Sequence, residues 1–276
     1  MATLGQIIFT SMIILILVFA SLIILILGLA FSGSSSEVMS RDLAPVANLG
    51  EDELLSCFLQ TESGQSAIRQ VSVTWTKADT QGVVYRYEDG APDLVDQNSQ
   101  FRGRTQLFPE DLATGNASLL IRSVRRNDEG EYTCRISSSA GQGRVQIHLR
   151  TAAFSFPTFT LSDCVLAAGA RSWFPKPNVT WLDSDGEVLQ GDTNFSEGSG
   201  GIYSVHSSLT PVNVSSSYIF RIENDLVASV SRATVTDSGV SVSSYFTPFS
   251  AASSLLLPSR LSFMSSFLVP LIFIFD

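Results

Sequence analysis

The sequence predicts an all-β fold with two β-sandwich domains in tandem and an apolar helical segment at each end of the 276-residue chain. Residues 7–31 and 261–275 are almost wholly apolar, whereas the stretch between them has ordinary polarity. In that stretch, short runs of alternating apolar and polar residues are separated by Gly, Ser, Asn and Asp, and no long run has a helical period. Short strands at regular intervals, with turn residues between them, are typical of β-sandwiches.

The N-terminal apolar segment predicts entry into the secretory pathway. It is longer than the hydrophobic part of most signal peptides, which is about 7–15 residues, and no Lys or Arg precedes it. A helix of about 20 apolar residues spans a bilayer, so this segment is long enough to do so. Residues 1–34 are therefore either a cleaved signal peptide or an uncleaved signal anchor. Both alternatives deliver the following domain across the membrane.

Residues 36–152 carry the strongest motif of the chain. Cys57, Trp75 and the run Asp128-Glu-Gly-Glu-Tyr-Thr-Cys134 occur in this order. The strands predicted around them are residues 71–75, 83–87, 118–122 and 143–149. This set resembles a V-type immunoglobulin domain, and the long interval between the two cysteines leaves room for the extra edge strands of that domain type.

The resemblance implies how the core of the first domain is built. A disulfide joins Cys57 to Cys134 across the two sheets, and Trp75 packs on it. The other core residues that it implies are Tyr132, in a tyrosine corner, and an ion pair of Asp128 with Arg104. All of these residues are expected to build the fold rather than to bind a partner.

Residues 153–238 resemble a constant-type immunoglobulin domain. The run Trp173-Phe-Pro-Lys-Pro177 followed by Trp181 fits the start of its third strand, and residues 218–224 fit its sixth. The two positions at which that domain type has cysteines hold Ala168 and Phe220 here. We therefore expect this domain to lack its usual disulfide, with Phe220 filling the space of the sulfur atoms against Ala168 and Trp181.

The third cysteine, Cys164, belongs to the same domain. It has the strand parity of Ala168, which predicts a buried free thiol that points into the same core. An intermolecular disulfide and a shifted alignment of this domain are the alternatives.

The C-terminal part is predicted to be a stalk, residues 239–254, followed by a membrane anchor, residues 255–276. No Lys or Arg follows the apolar stretch, although such charges usually flank a single-pass span on the cytoplasmic side. Small residues precede the stretch, as in a glycolipid-attachment signal, and they are Ala251, Ala252 and Ser253. Two forms stay open: a single-pass type I protein with its domains on the external side of the plasma membrane, or a glycolipid-anchored one.

Composition excludes several functions and supports an extracellular one. The net charge of −9 argues against nucleic acid as a partner. Two histidines, and three cysteines without a C-x-x-C pair, leave little material for acid–base or metal chemistry. We expect no enzymatic activity, metal site, cofactor or small-molecule substrate. Four N-glycosylation sequons fit a secreted chain, and they begin at Asn116, Asn178, Asn194 and Asn213.

Longer motifs narrow the resemblance to one family. They are Phe101-Arg-Gly-Arg-Thr105, Gly115-Asn-Ala-Ser-Leu119, Trp173-Phe-Pro-Lys-Pro177, Asn194-Phe-Ser-Glu197 and Ile222-Glu-Asn-Asp225. In this order they resemble the butyrophilin-like family of T-cell co-signalling ligands. The resemblance implies a membrane-anchored ligand that binds a T-cell counter-receptor and reduces T-cell activation, proliferation and cytokine production. The alternative is an adhesion protein with the same domains and no co-signalling role.

The resemblance also implies that the front sheet of the first domain binds the partner. Strand parity then predicts which side chains face outward, because alternate residues of a strand point to opposite faces. The receptor-facing candidates are Thr76, Tyr85, Tyr87, Arg135 and Ser137. For Tyr85 and Tyr87, packing at the edge of the sheet is the alternative.

Overall fold

The computed structural model describes residues 4–31, 37–60 and 68–249, and within the N-terminal helix it describes side chains only at Gly5 and residues 11–25. The chain forms two compact units, Met1–Ala152 and Ala153–Asp276. The predicted membrane anchor and the last residues of the predicted stalk, from 250 onward, lie outside the described residues.

The first unit contains one helix and, among the described residues, eleven strands. The helix is α1 (Leu4–Phe31), and the short 3-10 helices are Ser99–Phe101, Pro109–Thr114 and Arg126–Asp128. The strands are β1 (Glu37–Met39), β2 (Val46–Asn48), β3 (Glu53–Leu55), β4 (Phe58–Gln60), β5 (Ser72–Lys77), β6 (Tyr85–Glu88), β7 (Ala91–Pro92), β8 (Thr105–Leu107), β9 (Leu119–Ile121), β10 (Gly130–Ser138) and β11 (Gly141–Ala152).

Helix α1 covers most of the predicted signal peptide or signal anchor. It is mostly apolar, because Ile, Leu, Val, Phe and Ala make up the run from Ile13 to Ala20, while Gln6, Thr10, Ser11 and Ser21 are its polar residues. Among the residues whose side chains the structure describes, no helix is both long enough and apolar enough to cross a membrane. Residues 1–3 and 32–34, the rest of that predicted segment, lie outside the described part of the chain.

The strands of the first unit form a sandwich. One sheet has six strands in the order β2-β11-β10-β5-β6-β7, and the other has three in the order β3-β9-β8, while β1 pairs with β4. All pairs are antiparallel except β2 with β11, which is parallel. The predicted disulfide is present between Cys57 and Cys134, and both residues are fully buried. Trp75 is also fully buried, and its indole N–H donates to the carbonyl oxygen of Ala117 at 3.0 Å.

The predicted tyrosine corner and ion pair lie at one end of this sandwich. The Tyr132 hydroxyl donates to the carbonyl oxygen of Asp128 at 2.6 Å. Arg104 binds the Asp128 carboxylate through two parallel hydrogen bonds of 2.8 and 2.7 Å. Burial alone would raise the pKa of Asp128, but hydrogen bonds from Arg104, Gln100 and the Arg125 backbone hold it below its ordinary value. The pair therefore stabilises the unit while Asp128 is ionised.

In the second unit, the described residues form strands and one short 3-10 helix at Ser199–Gly201. Its strands are β12 (Thr158–Ser162), β13 (Val165–Trp173), β14 (Asn178–Leu182), β15 (Val188–Leu189), β16 (Asp192–Glu197), β17 (Tyr203–Leu209), β18 (Ser217–Glu223), β19 (Val227–Thr236) and β20 (Gly239–Pro248). They form a four-stranded sheet in the order β12-β13-β17-β16 and a five-stranded sheet in the order β15-β14-β18-β19-β20.

An aromatic cluster occupies the place where a constant-type domain has its disulfide. Phe220 and Ala168 are fully buried, as predicted, and the rings of Phe220 and Trp181 lie 4.4 Å apart between centroids. Phe159, which the sequence analysis did not single out, completes the cluster. It is paired with Ala168 in the sheet register and lies edge-on to Phe220 at 5.9 Å. Direct contact between Ala168 and Phe220 stays a prediction.

The predicted end of the second domain at residue 238 is wrong. The residues after it form β20, which pairs with β19 along ten residues in antiparallel register. The last described strand therefore belongs to the sandwich, and residues 239–248 are not a stalk. The prediction failed because Gly, Ser and Thr make up half of this segment, which makes a solvent-exposed edge strand resemble a linker.

The predicted burial of Cys164 is also wrong, because the residue is exposed. Asp163 and Cys164 form the two-residue turn between β12 and β13, and both have positive φ, 48° and 62°. Such a turn interrupts the alternation of the strand, so the parity that leads from Ala168 does not extend to Cys164. The free thiol lies at the surface of the unit.

Candidate partner-binding face

The six-stranded sheet of the first unit has one buried and one exposed face. Along β10, Tyr132, Cys134 and Ile136 are buried, so the residues between them point outward. This strict alternation follows from the pleat of a strand whose one face covers the core. We call the outward side of β11, β10, β5 and β6 the front face.

A row of basic side chains crosses the front face. Arg144 of β11 lies opposite Arg135 of β10, which lies opposite Thr74 of β5, and Thr74 lies opposite Arg86 of β6. We call these four residues the arginine row. Strand neighbours are about 4.8 Å apart, so the row spans roughly 14 Å. Three guanidinium groups in one line give the face a positive centre on a chain of net charge −9.

The three arginines differ in how their charge is balanced. Arg86 lies 3.0 Å from Asp93 and 3.7 Å from Asp96, and its hydrogen bond holds the pKa of Asp93 below the ordinary value. Among the described residues, no carboxylate lies within 4.0 Å of Arg135 or Arg144. Like charges directly opposite on neighbouring strands destabilise a sheet. The Arg135–Arg144 pair therefore lowers the stability of the first unit, and the fold does not need it.

The rest of the front face is mostly polar and uncharged. Thr133 lies opposite Thr76 and Gln146, and Ser137 lies opposite Ser72 and Gln142. Charged side chains also occur nearer its ends: Glu131 of β10, which forms a hydrogen bond of 2.6 Å with the ring of His148, Glu88 of β6 and Arg150 of β11. The predicted candidates Thr76, Arg135 and Ser137 thus lie on one surface.

The two predicted tyrosines do not. Tyr85 and Tyr87 are buried, 6% and 9% exposed, and belong to the core of the first unit. The reason is register, because Tyr85 lies opposite Trp75 and Tyr87 lies opposite Val73, and paired residues point to the same face. Burial raises the pKa of Tyr85 accordingly. The parity of β6 relative to β5 identifies Arg86 as the outward residue.

Sequence reasoning also missed Arg144. Its outward direction follows from the alternation of β11, in which Ile147 and Leu149 are buried, but its place opposite Arg135 follows only from the pairing of β10 with β11. A hairpin register counted from the two-residue turn at residues 139–140 would have placed Arg144 opposite Arg135.

Comparison with known proteins agrees with this architecture. The Immunoglobulin V-set domain family matches residues 43–151. The human V-set domain-containing T-cell activation inhibitor 1 is 34% identical over 272 residues, which is 94% of this chain and 94% of the relative. The chain belongs to the family of V-set domain-containing T-cell activation inhibitors.

Two further matches cover a smaller part of this chain. Human butyrophilin-like protein 2 is 27% identical over 177 residues, 62% of this chain and 36% of that protein. The crystal structure of the human B7-H4 IgV-like domain is 32% identical, with a TM-score of 0.37, and the match covers 42% of this chain and 96% of that one. The sequence match to butyrophilin-like protein 2 agrees with the butyrophilin-like resemblance of the motifs.

In this T-cell activation inhibitor family member, three of the four sequon asparagines are exposed, namely Asn178, Asn194 and Asn213. Asn116 is different. Its side-chain amide donates to Asp111 at 3.2 Å, and its oxygen accepts from the backbone N–H and hydroxyl of Ser118. Ser118 itself is 3% exposed and accepts from the Cys57 N–H. The first sequon therefore also has a structural role beside the disulfide.

Proposed function

We propose that this chain is a cell-surface co-inhibitory ligand that binds a counter-receptor on T cells through the front face of its first unit. Binding reduces T-cell activation, proliferation and cytokine production. The observation that carries the proposal is the 34% identity over 94% of both chains with a protein named for T-cell activation inhibition. Fold alone does not carry it, because immunoglobulin domains serve many functions.

The arginine row supports the choice of surface and indicates the chemistry of the partner. Arg135 and Arg144 are exposed, close together and without a neutralising carboxylate among the described residues. Arginine is enriched at binding hot spots because its guanidinium group makes bidentate hydrogen bonds with carboxylates. The complementary surface of the counter-receptor is therefore acidic.

The test presents the full chain on stimulator cells that also engage the T-cell receptor. We expect T-cell division and cytokine release to fall as the surface density of the chain rises. An increase, or no change at any density, would refute the inhibitory role. Self-association between cells that carry the chain, without an effect on T cells, would favour the adhesion alternative.

Two charge reversals then test the face. Arg135→Glu and Arg144→Glu are each expected to weaken binding to T cells by at least tenfold, which corresponds to about 1.4 kcal/mol. The matched control is Arg102→Glu, at an exposed position just before β8 in the other sheet. If all three variants bind alike, the front face is not the contact surface.

Arg144→Glu separates binding from folding. It places a carboxylate opposite Arg135, and an opposite-charge cross-strand pair stabilises by about 0.2–1 kcal/mol. The melting temperature of the first unit is therefore expected to stay the same or rise while binding is lost. A fall in both would mean that the variant acts through unfolding.

The location is part of the proposal. We infer that the domains lie on the external side of the plasma membrane, in a single-pass type I chain, with a glycolipid anchor as the alternative. The four sequons and the apolar segments at residues 7–31 and 261–275 support this placement. Treatment of expressing cells with a phosphatidylinositol-specific phospholipase distinguishes the two anchors, since release of the chain would refute the single-pass form.

A further inference from the structure

The second unit has an open groove on the outer face of its four-stranded sheet, with a volume of about 760 Å³. Its floor is formed by Ala167 and Gly169 of β13, and its walls include Phe156, Asn194 and Phe195. All of these residues belong to one unit, so the groove is complete within it. Asn194 begins the sequon Asn194-Phe-Ser196, which places a potential attachment point for a sugar chain in the wall.

The sheet register joins the attachment point to the floor. Thr158, Gly169, His206 and Asn194 lie opposite one another in turn on β12, β13, β17 and β16. Gly169 is two strand spacings from Asn194, or roughly 10 Å. A Cβ atom on Gly169 would lie 3.8 Å from both His206 Nδ1 and Thr158 Oγ1, so the glycine leaves a depression between these side chains.

The side chains that line the groove suit a neutral, hydroxyl-rich ligand. Hydroxyl groups line it, and they belong to Ser155, Thr158, Thr160, Ser196 and Ser204. Two exposed aromatic rings stand beside them, Phe156 at 45% and Phe195 at 38% exposure. Among the described residues that line it, Arg171 is the one Arg or Lys, and none is Asp or Glu. Sugars present hydroxyl edges and C–H faces, which match hydroxyl and aromatic side chains, whereas a charged protein surface would find few counter-charges here.

We propose that an N-linked glycan on Asn194 lies in this groove and covers the outer face of the four-stranded sheet. The inference rests on passage through the secretory lumen, as in the proposed function. Attachment forms a bond between Asn194 Nδ2 and C1 of the first N-acetylglucosamine and breaks the bond between C1 and the lipid pyrophosphate of the oligosaccharide donor. The pyrophosphate leaves with the bonding electron pair, and the amide nitrogen gives up one proton to solvent. The next sugar then reaches across His206 toward Gly169.

The test compares glycans within one protein. The full chain is produced in cells that make only oligomannose glycans, purified in detergent, and digested in the native state with an endoglycosidase that cuts between the first two sugars. Mass spectrometry follows each site. The matched controls are Asn178, on the exposed side of β14, and Asn213, in the loop between β17 and β18. We expect release at Asn194 to be at least several-fold slower than at both controls, and equal after denaturation.

Filling the groove should abolish the protection. Gly169→Val adds a branched side chain to the floor at a position without positive φ, and Ala167→Val does the same one row away if the first variant does not fold. Release at Asn194 should then reach the rate at Asn213. Four outcomes would each overturn the proposal. They are an Asn194 that carries no glycan, equal release at all sites in the native chain, slow release that persists in the filled variant, and protection that occurs only in a dimeric fraction.

Discussion

Replacing Phe220 by alanine tests whether an aromatic cluster has taken over the role of the disulfide in the second unit. Cys164 is the only cysteine of residues 153–276, and it lies exposed in a turn, so no disulfide joins the two sheets of this unit. Phe220 is fully buried at the centre of the unit and contacts Trp181 and Phe159. Its removal should leave a cavity that neither ring nor cystine fills.

The expected cost follows from these contacts. Truncation of a buried Phe to Ala costs about 3–5 kcal/mol, since the burial of the ring is lost and a cavity remains. Two aromatic pairs are broken as well, at centroid distances of 4.4 and 5.9 Å, which favours the upper half of that range. For a unit of fewer than about 100 residues, each kcal/mol lowers the melting temperature by about 4–8 °C. The drop should therefore exceed about 12 °C.

Calorimetry of residues 37–249 measures the change, because the two compact units give separable transitions if they unfold independently. The matched control is Tyr245→Ala, an aromatic residue of β20 that is 59% exposed, for which a change within about 0.5 kcal/mol is expected. A loss below about 1 kcal/mol for Phe220→Ala, or a shift confined to the first unit, would refute the reasoning.

Four further outcomes follow from the described residues. Reduction of Cys57–Cys134 should destabilise the first unit by about 2–5 kcal/mol and leave the second unchanged, as urea unfolding with and without reductant will show. Asp128→Asn should lower the free energy of unfolding by about 3–5 kcal/mol at neutral pH. The pKa of Asp128 is lowered in the folded state, so its contribution to stability is lost as the pH falls below about 4. The urea midpoint of the unaltered chain should therefore fall more over that pH range than the midpoint of the variant. Glu53→Gln should raise the midpoint at pH 8, because burial and then Asp42 raise the pKa of Glu53 to about 7, so that its ionisation on going up in pH destabilises the fold; an unchanged midpoint would contradict this. Cys164 should react with a thiol reagent in the native chain at the rate of an exposed cysteine.

Much of the first unit could be predicted because its core motif has fixed offsets along the chain. Trp75 lies on β5, Tyr132 and Cys134 lie on β10, and Cys57 lies between β3 and β4, so recognising this set also locates the disulfide and the tyrosine corner. To predict the ion pair of Arg104 with Asp128, it was enough to find a basic residue just before β8. These contacts are set by the residues of the motif itself and do not depend on the register of edge strands.

The front face could be predicted only in part, because it depends on which residue of one strand opposes which residue of the next. A shift of one residue exchanges the two faces of a strand. For β10 the cysteine fixes the parity, so Arg135 and Ser137 were placed correctly. No comparable anchor exists in β6, and the tyrosines there were assigned to the wrong face. Aromatic content misled the assignment, since Tyr suits both an interface and a core.

The two units join their sheets by different means, and this difference has a consequence for function. In the first unit a covalent bond and a buried ion pair hold the sandwich, so the front face can carry the unfavourable Arg135–Arg144 neighbourhood without loss of the fold. The second unit has only packing at the same place, and its stability depends on Phe220 and its neighbours. If the front face binds the counter-receptor as proposed, we therefore expect the first unit to tolerate substitutions that optimise binding, and the core of the second unit to have little margin for change.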